Sequence, residues 1–338
     1  MIKEAINILV SGNDLSFLEA SRVMEDIMNG EATPAQIGAF AAALRMKGES
    51  VDEIAGLASV MRAKATPVKL SAPAIDIVGT GGDGSGSFNI STAAALVAAG
   101  AGLRVAKHGN RAASSTCGSA DILEALGVKI DLGPEAVAEC VETVGIGFMF
   151  AQIFHPAMKN AAVPRREIGI RTVFNILGPL TNPARAEYMV LGVPGEALGG
   201  KMAAVLCRLG TQHSLVVHGR DGLDEISISG PSLVWEVKDK QVAPPREVKP
   251  EDCGLKRADA ARLKGGTALE NAGKLRRVLD GEKGALRDVV VINAAAALVA
   301  AEKAQDMKSA ARLAEEAIDS GRAREKLVRL VETSQRLK

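Results

Sequence analysis

The chain of 338 residues predicts an α/β fold in two parts: a small N-terminal helical domain, and a large α/β domain whose mostly parallel central sheet is flanked by helices. Three observations predict it. Helix-start signals crowd the first 65 residues, short β-branched runs then alternate with Ala-rich stretches, and the first of those runs ends in a loop dense in glycine.

The opening elements are read from their caps. Ser16 with Glu19, Thr33 with Gln36, and Ser50 with Glu53 have the spacing of capping boxes, where a hydroxyl accepts from one helix-start N–H and an acid or amide reaches back to another. Pro34 suits the first position of the second of these helices, and Gly30 and Gly48 stand where helices should end. That helix carries Ala35, Ile37, Gly38, Ala39, Ala41, Ala42 and Ala43, small enough for close packing inside the monomer or for a dimer seam.

After Pro67 and Pro73 the runs AIDIVG, LRVAKHG and VKIDLG read as strands, with STAAALVAAG and SADILEALG as helices between them. Alternation of this kind implies parallel strands with crossover helices. The stretch HPAMKNAAVPRREIGIRTVFNILGPLTNPA is rich in Pro, Asn and Arg, and is expected to return to the helical domain as a wall of the inter-domain cleft. AEYMVLGV and SLVVHG read as further strands around the helix GGKMAAVLCRLG, followed by an irregular segment near Pro244 and Pro245 and by helices from about Leu286 to Leu337. The expected division is a helical domain at 1–70, completed by roughly 155–185, and an α/β domain at 71–154 and 186–338.

Composition narrows the function classes. With 47% hydrophobic and 24% charged residues the chain has the makings of a soluble protein with a sizeable core. Aromatic residues at 3% leave little for a base-stacking surface, and a net charge of +1 gives no field to attract nucleic acid or an anionic membrane. Neither partner is expected. Cys117, Cys140, Cys207 and Cys253 form no CxxC pair, which argues against a zinc site or disulfide framework and for a reducing, cytoplasmic setting. The N-terminus has no export signal, and the apolar run from Val289, bounded by Arg287, Asp288 and Glu302, is shorter than the ~20 residues of a membrane span.

The chemistry is concentrated in two loops. AIDIVG runs into GTGGDGSGSFNIST, where missing Cβ atoms let an anion approach backbone N–H groups and the following helix points its positive end at the same place. A P-loop needs GxxxxGK with Ser or Thr, but Ser85 and Ser87 stand where lysine would be. Gly79, Gly81 and Gly84 spell GxGxxG, yet the next strand ends in Lys107 and His108 and not in the acid that a dinucleotide's ribose requires. The second loop, KHGNRAASSTCGSAD, supplies charge from Lys107 and Arg111 and neutral donors from Asn110, Ser114, Ser115 and Ser119. Two anion-friendly loops on neighbouring strands suit a ligand with phosphate at both ends, such as a phosphorylated sugar. His108 reads as a base or, the safer expectation, as a packing or ligand-lining imidazole.

DIVGTGGDGSGSFNIST, KHGNRAASSTCGSADILEALG, HPAMKNAAVPRREIGIRTVFNILGPLTNP, HGRDGLDE and GGTALENA, in this order and covering nearly the whole chain, resemble the anthranilate phosphoribosyltransferase family of tryptophan biosynthesis. The only departure noted is Ser87, where threonine is commoner. The resemblance implies the fold shared with pyrimidine nucleoside phosphorylases, a homodimer through the helical domains, phosphoribosyl pyrophosphate and anthranilate as substrates, and magnesium, two ions per site. It places phosphoribosyl pyrophosphate contacts on Gly79, Gly82, Asp83, Ser87, Asn89, Ile90, Ser91, Thr92, Lys107, His108, Gly109, Asn110, Arg111, Ala112, Ala113, Ser114, Ser115 and Ser119. It places metal contacts on Ser91, Asp224 and Glu225, and anthranilate contacts on Gly79, Asn110 and Arg165. A guanidinium such as that of Arg165 suits an aromatic carboxylate, and adjacent hard-oxygen ligands suit magnesium held mostly by phosphates. No residue is required as a general base. Two alternatives stand beside this reading: a pyrimidine nucleoside phosphorylase of the same fold, against which Arg165 and FNILGPLTNP argue, and a non-catalytic nucleic-acid-binding relative, which would need a basic stripe.

Overall fold

The computed structural model describes residues 1–112 and 116–337. Helices α1 (Ile2–Val10), α2 (Phe17–Asn29), α3 (Pro34–Lys47) and α4 (Val51–Lys64) open the chain. All three capping boxes form, with Ser16, Thr33 and Ser50 accepting from the N–H groups of Glu19, Gln36 and Glu53. The small side chains of α3 are used inside the chain: Ile37, Phe40, Ala41 and Leu44 are buried, and Gly38 lies against Ile168.

One of these caps does more than end a helix. The fully buried Glu53 carboxylate accepts from Leu15 N–H (2.9 Å), Ser50 N–H (2.7 Å) and Lys47 Nζ (2.9 Å), tying α3, α4 and the α1–α2 loop together. Glu53→Ala strands these donors and should lower the unfolding free energy by about 3–5 kcal/mol, read as an earlier midpoint in urea. A midpoint within error of the unmodified chain would show that the network is not structural.

The remainder alternates as expected. β1 (Ile75–Gly79), α5 (Ile90–Gly100), β2 (Val105–Gly109), α6 (Ser119–Ala125), α7 (Pro134–Val144) and β3 (Ile146–Phe150) are followed by short helices α8 (Ala151–Phe154), α9 (Lys159–Ile168) and α10 (Phe174–Leu177). Then come β4 (Tyr188–Gly192), α11 (Glu196–Arg208), β5 (His213–Gly219), β6 (Ser232–Lys238), β7 (Gln241–Val242), β8 (Arg246–Val248), and helices α12 (Ala268–Leu279), α13 (Ala285–Ala300), α14 (Met307–Asp319) and α15 (Arg322–Arg336). Among the described residues the strands form one sheet in the order β3-β2-β1-β4-β5-β6-β7, with β8 on β6; β1 to β5 are parallel and β6 begins the antiparallel edge.

Two cores flank the sheet, because alternate residues of each strand face opposite ways. Ile75, Ile77, Leu215 and Val217 pack with α5, α13 and α14, whereas Met189, Leu191, Val216 and Trp235 pack with α11 and continue into the core of α1 to α4. Ala161, Val173, Phe174 and Leu177, from α9 to α10, join that second core. The chain leaves β1 toward β2 and β3 and returns to its other side with β4 and β5. That reversal puts a switch point at the carboxyl ends of β1 and β4, where open parallel sheets bind ligands.

Three readings need correction. VKIDLG is not a strand: Val128, Ile130 and Leu132 are buried alternately, but Lys129 N–H donates to Ser334 Oγ (3.0 Å) of α15 and not to a ladder. The strand on that side is instead β3, whose Gly147 and Met149 hide its β character. The irregular segment near Pro244 and Pro245 contains β6 to β8, and α12 precedes the helices expected from Leu286.

Candidate active site

At the switch point the loop after β1 is folded around a carboxylate. Gly79 and Gly192 face each other across β1 and β4, and a Cβ on either would overlap Asp224, whose Oδ2 accepts from Gly81 N–H (2.7 Å). The Asp224–Glu225 turn, which follows β5, is thus seated directly beneath the glycine loop. Gly82 has φ of 80° and its open side is filled by the Arg171 guanidinium, which donates to the carbonyls of Thr80 (3.3 Å) and Gly81 (2.9 Å). Asp83 Oδ1 turns the loop by accepting from Ser85 N–H (3.2 Å). Its far end is pinned by Phe88 N–H to the Leu263 carbonyl (2.9 Å) and Gly265 N–H to the Gly86 carbonyl (2.7 Å), with Ser87 bridged to Lys264.

The side chain of α5's own cap residue does not cap it. Asn89 occupies the cap position without capping, Ile90 N–H turns back to the Phe88 carbonyl (2.7 Å), Ser91 N–H faces the Glu225 carboxylate, and the buried Thr92 hydroxyl has no partner. The positive end of an almost wholly buried helix therefore meets the glycine loop, the usual arrangement for phosphate.

Under both loops lies a buried charge cluster. Lys107 Nζ donates to the Ile77 carbonyl (2.6 Å) and reaches Ser91 Oγ (3.4 Å); burial pushes its pKa down while Asp76 and Glu225 pull it back up. Asp76, pushed up to about 6 by burial, accepts from Asn182 Nδ2 (2.7 Å) and His108 N–H (3.2 Å). Asp224 is pushed up to about 7 by burial first and then by Asp83, and Glu225 is held well above the ordinary carboxylate range by burial first and then by Asp224 and Asp83.

This crowding is the test for a cation. Three carboxylates with one buried ammonium make a site short of positive charge, and their hard oxygens suit magnesium. Among the described residues no three His, Cys, Asp or Glu side chains chelate a metal by themselves. The donors therefore fit an ion that takes most of its oxygens from a bound phosphate.

In the second loop, Asp121 Oδ2 collects the N–H groups of Ala112 (3.0 Å) and Gly118 (2.8 Å), and Ser119 Oγ donates to the Asn110 carbonyl (3.3 Å). Gly109 ends β2 beside Asn110. Arg111 is not presented as an open cation: its guanidinium pairs with Asp121 (3.0 Å) and Glu124 (2.8 Å) and lies over the Phe150 ring. Ala113, Ser114 and Ser115 lie outside the described residues.

Beside this loop is a cavity of about 360 Å³ lined by Met61 of α4, His108 and Asn110 of the second loop, and the 151–159 and 178–181 segments. It holds the neighbouring rings of His108 and His155, centroids 5.0 Å apart and tilted 53° to each other, with pKa values pushed down by burial to about 3 and about 4. Both imidazoles are neutral at physiological pH. Arg165 does not line the cavity; its guanidinium lies over the Phe174 ring, makes no hydrogen bond or ion pair with any described residue, and has its pKa lowered by burial. A cavity of similar size around Ile75, Arg104 and Tyr188 sits at the opposite ends of the strands, away from both loops.

Arg171, Asn271 and His155 are site residues that the sequence did not single out. Only their presence in the blocks HPAMKNAAVPRREIGIRTVFNILGPLTNP and GGTALENA pointed to them, since no local spacing signals a contact made across the fold.

Comparison with known proteins agrees with this geometry. Residues 3–65 match the helical bundle domain of a glycosyl transferase family, and residues 71–324 match that family's a/b domain. The chain is 59% identical over 338 residues to the anthranilate phosphoribosyltransferase of Dehalococcoides mccartyi, covering 100% of this chain and 99% of that one. Its structure is similar to that of anthranilate phosphoribosyltransferase from Thermus thermophilus, with a TM-score of 0.93, 48% identity, and coverage of 98% of this chain and 99% of that one. The enzyme from Saccharomyces cerevisiae in complex with PRPP and Mg gives a TM-score of 0.92 at 28% identity, covering 99% and 98% of the two chains. With its full length matched by both comparisons, the chain belongs to the anthranilate phosphoribosyltransferase family.

Proposed function

We propose that this chain transfers the 5-phosphoribosyl group of phosphoribosyl pyrophosphate to the amine of anthranilate, giving N-(5-phosphoribosyl)anthranilate and pyrophosphate in tryptophan biosynthesis. The arrangement that supports this most directly is the pairing of a glycine loop and a helix end that its own cap residue leaves free, fit for phosphate, with an adjoining cavity of about 360 Å³, fit for a small aromatic ring.

The reaction is a substitution at the anomeric carbon. The bond from carbon to pyrophosphate oxygen breaks as the bond to nitrogen forms, and the nitrogen loses its proton after attack. An aromatic amine is a weak nucleophile, so the chain's task is positioning and charge stabilisation. On this reading Gly79, Gly82, Asp83, Ser87 and Asn89 to Thr92 of the first loop, with Lys107 to Ala112 and Ser119 of the second, hold phosphoribosyl pyrophosphate between them. Ala113, Ser114 and Ser115 are assigned to the same loop. Gly79, Asn110 and Arg165 receive anthranilate, Arg165 by two hydrogen bonds to its carboxylate. With pKa values near 3 and 4, His108 and His155 are poor bases at neutral pH; they line the cavity as neutral polar groups.

Ser91, Asp224 and Glu225 would hold magnesium, two ions per site on this reading; when bound, it supplies neutralisation of the charge that grows on the departing pyrophosphate. The reading extends to a homodimer through the helical domain, for which the exposed Val10, Leu18 and Met46 on α1 to α3 offer apolar surface, and to a cytoplasmic setting. Among the described residues no helix is long and apolar enough to cross a membrane.

The test is loss of anthranilate fluorescence on mixing the chain with phosphoribosyl pyrophosphate and magnesium, followed together with pyrophosphate release. Loss that needs every component supports the transferase; folded, magnesium-replete protein with no loss refutes it. Arg165→Ala should raise KM for anthranilate about 10- to 100-fold, the worth of a charged hydrogen-bonded pair, and leave KM for phosphoribosyl pyrophosphate unchanged. Equal changes in both constants would remove Arg165 from the anthranilate site.

A further inference from the structure

Asparagine is among the best helix N-caps, its side-chain oxygen accepting from the second or third N–H of the helix. Asn89 stands at the cap of α5 and does not cap it. Its side chain is committed elsewhere: Nδ2 donates to the Cys117 carbonyl (3.0 Å) in the second loop, and Oδ1 accepts from Asn271 Nδ2 (3.0 Å) on α12. Asn271 is only 1% exposed, and its own Oδ1 accepts from Gly266 N–H (2.8 Å). Both amides also reach the Cys117 thiol. The first turn of α5 is left with a buried, unpartnered Thr92 hydroxyl.

We propose that Asn271 is a positioning residue that holds the Asn89 side chain away from the helix end, so that the first turn of α5, apart from the Ser91 N–H that faces Glu225, stays free for a phosphate while the glycine loop, the second loop and the GGTALENA segment are locked in one register. The inference rests on the phosphoribosyl pyrophosphate reading above and adds a residue that touches no substrate. A cap would stabilise the helix. The chain forgoes that stabilisation and keeps an anion site in its place, so stability and affinity at this position must run in opposite directions.

That opposition can be measured with two substitutions in the full chain. Asn89→Ser offers a hydroxyl that cannot reach Asn271 and that caps the helix once residue 89 turns from its ψ of 73° to the extended cap conformation; Asn89→Gly offers none. Expected is that Asn89→Ser melts higher than Asn89→Gly, yet has a KM for phosphoribosyl pyrophosphate at least threefold higher, with KM for anthranilate alike in both. A merely structural role would make the better-melting variant the better binder, and that result overturns the proposal. Asn271→Leu frees the Asn89 amide to cap, and Asn89→Gly added to it removes the cap again. The double variant should regain at least threefold in KM for phosphoribosyl pyrophosphate over Asn271→Leu alone, and further loss would count against the idea. If Asn271→Leu does not fold, the Ser and Gly pair decides the question alone. Should the unmodified chain fail to turn over phosphoribosyl pyrophosphate, the reading beneath the inference falls; should it turn over normally while the Ser and Gly variants bind alike, only the role of Asn271 falls.

Discussion

Lys107→Met will lower the unfolding free energy by about 3–5 kcal/mol, the range found when one partner of a buried ion pair is removed. The residue is nearly isosteric, so packing is not what is lost. Among the described residues Lys107 is the ammonium that lies by both Asp76 and Glu225, which are buried, and it also donates to the Ile77 carbonyl in the middle of β1. Without it the two carboxylates must take up protons or attract water into the sheet. Turnover will fall with stability, because the same ammonium reaches Ser91 at the start of α5. Urea unfolding by circular dichroism checks the first statement and the fluorescence assay the second. A variant as stable as the unmodified chain would mean that Glu225 and Asp76 are already protonated and that Lys107 is not their counter-ion.

Much of this site was legible where its chemistry is local. The three capping boxes are pairs three residues apart, and the hydroxyl and acid that make them are sequence neighbours. AIDIVG and its glycine loop were readable for the same reason: strand, turn and helix follow one another without interruption. What escaped were contacts made across the fold. Arg171 meets Thr80 and Gly81, and Asn271 meets Asn89, over separations of 90 and 182 residues or so, and nothing near either residue announces the partner. VKIDLG failed for a different reason. Alternating burial is needed both by a strand and by an extended segment lying on a helix, and here α15 provides the second solution. Arg111 was read as a phosphate-binding charge from its type alone, and the acids that occupy it, Asp121 and Glu124, lie on the helix that the loop leads into.

Asp224→Asn will reduce turnover by about 100-fold or more, the scale of losing one preorganised charge-stabilising group, while the protein melts at a higher temperature than the unmodified chain. The two effects have one cause. Asp224 is buried against Asp83 and Glu225, where its negative charge is repelled, so a neutral amide of the same shape relieves the folded state. Gly81 N–H can still donate to the amide oxygen, so the glycine loop keeps its course. On the proposed reading, what the amide cannot do is help hold a divalent cation, and the magnesium dependence of turnover should flatten accordingly. Calorimetry and a magnesium titration of the fluorescence assay separate the outcomes. A variant that melts lower and keeps its magnesium response would show Asp224 to be a structural acid, present to anchor the loop. Higher melting with lost response would show that the repulsion among these carboxylates is retained because the reaction needs it.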